Sequence, residues 1–206
     1  MSSKNYDFLF RINHVGDINS GKTSLFIRFT QDSFIDYHSE DYISTIGQEK
    51  KIKNIEIENK LIRCIIWDAY QPGERLRITY VQTSPRILRN SNGVILIYDI
   101  TNLKSFKLIK DFNEEIKENA PNIKKILVGT KCDLEDKRQV TEEEGKKLAN
   151  ELGINMFFEV SAKTGKNVEE AYYSLFREIL MNYNQPEPII LNSEEKINEK
   201  SNKCAK

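Results

Sequence analysis

The chain has 206 residues, with 31 basic side chains against 31 acidic ones and so no formal net charge, which excludes the strong positive field that nucleic-acid binding draws on. The length suits one globular domain with a tail, large enough to bury a sizeable core. No early stretch is long and apolar enough for a signal peptide or a membrane span, so a cytoplasmic protein is expected. The three cysteines, Cys64, Cys132 and Cys204, are too few and too far apart for a disulfide framework or a zinc site.

In chain order, an apolar run predicts a first strand over 8–15. It leads into Gly16-Asp17-Ile18-Asn19-Ser20-Gly21-Lys22-Thr23, which fits the phosphate-binding pattern G-x-x-x-x-G-K-[ST]. The glycines let successive backbone N–H groups turn toward phosphates, and the helix predicted over 21–29, which includes Ser24, presents its positive end to them. Lys22 can reach the β- and γ-phosphates, and the Thr23 hydroxyl is placed to ligate Mg²⁺. A chance Gly-Lys-Thr turn is the alternative, and the strand and helix on either side weigh against it.

Further strands are predicted over 51–57, 61–67, 93–100, 124–129 and 156–160, and further helices over 105–118, 142–152 and 168–181. Thr141-x-x-Glu144 and Asn167-x-x-Glu170 read as capping signals for the last two helices. Strands such as Val94-Ile95-Leu96-Ile97 are apolar throughout. They mark a sheet buried on both faces, and so an α/β, doubly wound, mostly parallel six-stranded fold flanked by helices, whose ligands bind at the strand C-terminal ends. Cys64 and Trp67 read as core packing, His14 as a strand residue and His38 as a loop residue. After 183 the sequence turns polar and loses its period, which divides the chain into a domain over 1–183 and a flexible tail over 184–206.

Several motifs beyond the phosphate loop resemble those of the Ras superfamily of small GTPases, and of its Rab branch in particular. Tyr42-Ile43-Ser44-Thr45-Ile46-Gly47 is similar to the first switch, Trp67-Asp68 to the end of the third strand, Thr130-Lys131-Cys132-Asp133 to the N/T-K-x-D guanine loop, and Ser161-Ala162-Lys163 to the S-A-K loop. The resemblance implies the G-domain form of the P-loop fold, with GTP or GDP and Mg²⁺ as ligands. It also implies that Thr45 joins Thr23 on the metal, with Asp68 acting through water, and that Phe34 lies on one face of the base. Asp133 suits guanine chemically, since one carboxylate accepts from both N1–H and the exocyclic amine, and adenine offers no such pair. The Lys131 stem can cover the other face of the base, and the Ala162 N–H can donate to O6. Taken singly, Asp133 also reads as a helix cap and Ser-Ala-Lys as a common tripeptide; order and spacing favour the nucleotide reading.

The chain departs from that family where water is handled. Asp-x-x-Gly-Gln is replaced by Asp68-Ala69-Tyr70-Gln71-Pro72-Gly73, so the glutamine that orients the attacking water is lost in either register. Gln71 remains as a substitute beside Lys22 and Thr45. Ile18 stands where the family has a small residue, while Asn19 replaces a glycine with the residue that best tolerates positive φ. Both switch segments are longer than the family pattern, and Pro85 interrupts the second. Gln48-Glu49-Lys50 departs from Gly-Val-Asp-Phe as the family reads after the first switch. The expectation is a Rab-like GTPase of vesicle traffic with slowed hydrolysis, working through effector, exchange-factor and activating proteins. A non-cycling nucleotide-bound interaction module is the alternative, and an unrelated P-loop ATPase or kinase a third reading. Cys204, third from the end, resembles the family's prenyl cysteines without matching C-a-a-X, and would place the protein on the cytosolic face of endomembranes.

Overall fold

A computed structural model gives the backbone and, except at 48, 49, 68 and 69, the side chains of residues 6–34, 48–69 and 88–183. The elements run β1 (Phe8–Gly16), α1 (Lys22–Gln31), β2 (Gln48–Ile57), β3 (Lys60–Ala69), β4 (Gly93–Asp99), α2 (Leu103–Lys107), α3 (Ile109–Asn119), β5 (Lys124–Thr130), α4 (Glu142–Glu151), β6 (Phe157–Glu159) and α5 (Val168–Met181). All six predicted strands are present, in one sheet of order β2-β3-β1-β4-β5-β6. Only β2 and β3 run antiparallel, and every other pairing is parallel. Both strands of that hairpin run further than predicted, because the ladder continues to the Gln48–Ala69 pair. Its two-residue turn places Glu58 and Asn59 at positive φ (51° and 59°), the backbone form that matches the twist of the flanking strands.

The central strands β4 and β5 form because their side chains are buried on both faces, as the apolar runs required, whereas β2 alternates, burying Ile55 and Ile57 and leaving Ile52 exposed. In β4, Ile95 and Ile97 join the layer under α1 and α5, while Val94, Leu96 and Tyr98 join the layer under α3 and α4. On the first face the Phe29 ring stacks on Tyr172 at 3.8 Å and 9°, which packs α1 against α5. Lys53 secures the end of α1, lying 4.1 Å above the Phe29 ring and donating to its carbonyl at 2.6 Å, so an orphan carbonyl of the helix terminus meets a cation. Cys64 is wholly buried, as core packing requires, and burial lifts its thiol to about 12. Trp67 is only partly buried, with the Lys50 ammonium 5.3 Å above its ring.

Two local expectations are corrected. The helix expected over 105–118 is two segments, and the first begins at Leu103 because Asn102 accepts from the Lys104 and Ser105 N–H groups at 3.0 and 3.3 Å. Leu108 forms the turn between them, and Phe112 N–H still donates back to its carbonyl. Thr141 and Glu144 do form the reciprocal capping box on α4, which is what the motif predicts. Asn167 does not cap α5: it sits at φ 57°, and its amide donates to the Glu159 carbonyl at 2.8 Å. Its tolerance of left-handed backbone and its link to β6 outweigh the cap.

Candidate nucleotide-binding site

Because β3, β1, β4, β5 and β6 are parallel, their C-terminal ends share one edge of the sheet. The successors of β1 lie on opposite sides of it, β3 on one and β4 on the other, so the loop after β1 sits at a topological switch point, where ligands of such sheets bind. Along this edge the order is the end of β3 at Asp68, the loop 16–22, Asp99, the loop 130–133 and the loop 161–163. The backbone of Asp68 is thereby set beside the phosphate-type loop; its side chain is outside the described residues, as are Thr45, Gln71 and Cys204.

The loop after β1 is shaped by its glycines. A Cβ on Gly16 would stand 2.2 Å from the Ile97 carbonyl oxygen, and Gly21 lies at φ 86°, so neither position accepts a side chain without rearrangement. Asn19 takes φ 59°, as its tolerance of that region predicts. The Lys22 ammonium donates to the Gly16 and Asp17 carbonyls at 3.0 and 2.6 Å, so the loop wraps around its own lysine with carbonyls turned in. Ile18 is 49% exposed at the surface of the loop, and Ser20 is fully buried. The Thr23 hydroxyl makes no hydrogen bond among the described residues, and neither do the side chains there gather into a cluster of three or more His, Cys, Asp or Glu.

On the far side of the edge the two remaining loops are tied to the first and to each other. The Thr130 hydroxyl lies within donor range of the Ser20 carbonyl (2.7 Å) and the Tyr98 carbonyl (3.0 Å), which joins β5 to the phosphate-type loop. Lys131 takes φ 63° and reaches Asp99, whose other oxygen accepts from the Thr101 N–H and hydroxyl. Cys132 N–H donates to the Val160 carbonyl at 3.2 Å. Beyond it the Asp133 carboxylate is exposed and enters no ion pair or hydrogen bond among the described residues, and it does not cap the short 3₁₀ turn at Glu135–Lys137. Ser161 is buried and its hydroxyl accepts from Thr164 N–H, Ala162 is 9% exposed, and the Ala162 N–H has no acceptor among the described residues. A nearly buried backbone donor without an acceptor is uncommon enough to point to a ligand. Phe34 is half-buried a short way beyond α1.

Sequence reading passed over two residues here. Asp99 at the end of β4 holds Lys131, and Arg28 on α1 bonds the loop 161–163; each lies just outside a recognised motif, so only the fold brings them in. A cavity of about 440 Å³ lined by Asn92, Ala120, Lys124 and Asn182 among others lies at the opposite edge of the sheet, beside the C-terminal ends of α3 and α5. Those helix ends are negative and disfavour phosphate.

An α/β sheet in this order, with a glycine-formed lysine loop at its switch point, is the G-domain form of the P-loop nucleotide-binding fold. The family model for the Ras family matches residues 11–181. The chain is 42% identical over 212 residues to Ras-related protein Rab-13 of Mesocricetus auratus, covering 98% of each. It is likewise 42% identical to Ras-related protein Rab-8B of Homo sapiens over 184 residues, 89% of this chain and 84% of that protein. Over 180 residues it is 42% identical to GTP-binding protein ypt2 of Schizosaccharomyces pombe, covering 87% and 85%. The chain belongs to the Ras family of small GTPases, as a Rab-like member.

Proposed function

We propose that this protein is a GTP/GDP switch of vesicle traffic that binds nucleotide firmly and hydrolyses GTP slowly. The observation that carries the nucleotide reading is the Ala162 N–H and the Asp133 carboxylate, unpaired among the described residues, on the same strand edge as the loop wrapped around Lys22. In this reading Gly16, Asn19, Ser20, Gly21, Lys22, Thr23 and Ser24 surround the phosphates. Asp133 accepts from guanine N1–H and the exocyclic amine, Ala162 N–H donates to O6, and Phe34 and the Lys131 stem flank the base. Thr130, Ser161 and Lys163 hold the two base loops. Mg²⁺ on Thr23 and Thr45, with Asp68 through water, would neutralise charge on the β- and γ-oxygens. Lys22 and Thr45 would stabilise the transferring phosphoryl group, with Gln71 left to orient water.

Slow turnover rests on residues 68–73 and Ile18. Loss of the ordered glutamine removes a positioning group worth orders of magnitude in this chemistry, while affinity depends on other side chains. The half-exposed, branched Ile18 stands at the loop surface where the family keeps a small residue. Restoring the family pattern with Ile18→Gly, Gln71→Gly and Pro72→Gln should raise single-turnover GTP hydrolysis about tenfold or more. Equal rates in the two proteins would overturn the proposal. Chromatography of the nucleotide that co-purifies with the protein separates the remaining readings: GTP marks a protein held in its active state, GDP a cycling one, and tighter binding of ATP than GTP a different P-loop enzyme. The γ-phosphate would order Thr45 and the segment after Asp68 into the surface that effector, exchange-factor and activating proteins read. The tail over 184–206, with Cys204 as its lipid site, would carry that surface to endomembranes.

A further inference from the structure

Guanine recognition as proposed above depends on how firmly the peptide at Ala162 is aimed, and the structure places one side chain behind it. Arg28 lies on the flank of α1 between the buried Ile27 and Phe29, and its side chain, 17% exposed, leaves the helix for the loop after β6. Its Nε donates to the Ala162 carbonyl at 2.6 Å, and one terminal nitrogen donates to the Lys163 carbonyl at 3.0 Å. The other terminal nitrogen turns back to Asp32, whose carbonyl and carboxylate both accept at 3.1 Å. A guanidinium offers its donors in a rigid fork, so bonds to two successive carbonyls fix the orientation of the turn as well as its place. From the other side Thr164 N–H donates to the Ser161 hydroxyl, which leaves the nearly buried Ala162 and the exposed Lys163 as the residues of the clamped turn whose N–H groups have no acceptor among the described residues. The same helix begins at Lys22, so one rigid element carries the phosphate lysine at one end and this arginine further along.

We propose that Arg28 is a positioning residue for base recognition: by holding the Ala162 and Lys163 carbonyls it aims the Ala162 N–H at O6 of guanine. The base then depends on a side chain that acts through the loop. It also follows that a shift of α1 at its phosphate end is felt at the base.

The test measures dissociation constants for GDP, 6-thio-GDP and IDP on the full chain, in the wild type and in Arg28→Ala and Arg28→Lys. Sulfur at position 6 weakens only the bond from Ala162, whereas inosine lacks only the amine read by Asp133. Arg28→Ala should weaken GDP about two- to tenfold, the scale of one hydrogen bond between neutral groups. The penalty for 6-thio-GDP should shrink in the same variant, because the bond it probes is already lost, while the penalty for IDP stays as in the wild type. Arg28→Lys, which offers a single ammonium in place of the fork, should fall between. A merely structural role would weaken all three nucleotides by one factor, and that result, or unchanged affinities, would overturn the proposal. If Arg28→Ala does not fold, Arg28→Gln keeps the stem and loses the reach to both carbonyls; a folded Arg28→Gln with the wild-type 6-thio-GDP penalty overturns the proposal equally. Failure of the wild type to prefer GDP over ADP would instead refute the guanine reading itself.

Discussion

The floor beneath the phosphate-type loop and the loops at the other end of the site are held by opposite means. At the base end the fastenings are charged: Lys131 on Asp99, Arg28 on two carbonyls, and Arg138 bound bidentately to Glu159 and to Glu135. Under the loop 16–22 they are neutral and buried: His14 bonds the Tyr172 hydroxyl, and His14 Nδ1 and Ser20 Oγ have no partner among the described residues. Charged, partly exposed pairs fix geometry without needing a complete network, whereas a buried neutral group missing a partner leaves unmet hydrogen-bonding capacity in low dielectric. The base end is therefore built to stay put, and the phosphate end carries groups whose demands are unmet among the described residues.

The largest expected effect lies in the charge at the base end that has no partner among the described residues. If Asp133 reads the guanine edge as proposed, Asp133→Ala should reduce GDP affinity about a hundredfold or more, since it would remove both bonds and leave the amine and N1–H without acceptors. Thermal stability without nucleotide should hardly change, because that exposed carboxylate enters no hydrogen bond or ion pair among the described residues. Calorimetric titration set beside a melting curve checks both halves, and a variant that binds GDP as the wild type does would remove Asp133 from the site.

Next comes the fastening itself. Glu159 is 9% exposed and shares Arg138 with Glu135, which is 69% exposed. Arg138→Ala strands the nearly buried Glu159 and should cost about 3 kcal/mol, the scale for breaking one partner from a buried pair. In a chain of this size such a loss lowers Tm by about 6 to 12 °C. Glu135→Ala removes only the exposed partner and should leave the melting curve close to that of the wild type. Equal losses in the two variants would show that the pair does not divide by burial, and the contrast between the ends of the site would fail with it.

Much of this was legible in the sequence, for identifiable reasons. Central strands such as β4 and β5 announce themselves as unbroken apolar runs and β2 as an alternation, so all six appear and only their ends move. The lysine loop was legible because backbone geometry demands glycine at Gly16 and Gly21, and a pattern of obligatory glycines survives as a motif. Asp133 drew a reading from sequence alone because its chemistry is set by one carboxylate, and the structure shows that carboxylate exposed. What hid were residues whose role depends on a distant chain segment. Nothing near Arg28 in sequence foretells the Ala162 carbonyl, and nothing near Asn167 foretells that it serves Glu159 in preference to its own helix. Asn13 and His14 stand in a strand where an apolar residue would do, and only the fold supplies Ser91 and Tyr172 as their hydrogen-bond partners.

His14 gives the smallest and most specific test of the neutral end. Burial first, and the nearby Lys22 ammonium second, hold its imidazole down to about 3 from an ordinary 6.5, so it is neutral in the folded protein throughout the physiological range. The unfolded chain takes up a proton on this residue below 6.5 that the folded state refuses until about 3. Stability from this group is therefore complete above 6.5 and declines as the pH falls, by about 1.4 kcal/mol between pH 7.5 and 5.5. Replacing the pair together, His14→Leu with Tyr172→Phe, removes the titrating group without stranding the tyrosine hydroxyl. Urea unfolding at the two pH values, with nucleotide held the same, should show the wild type losing that amount relative to the double variant. Parallel pH profiles would mean that His14 is protonated in the folded state, and the ground beneath the phosphate-type loop would then be charged after all, like the base end.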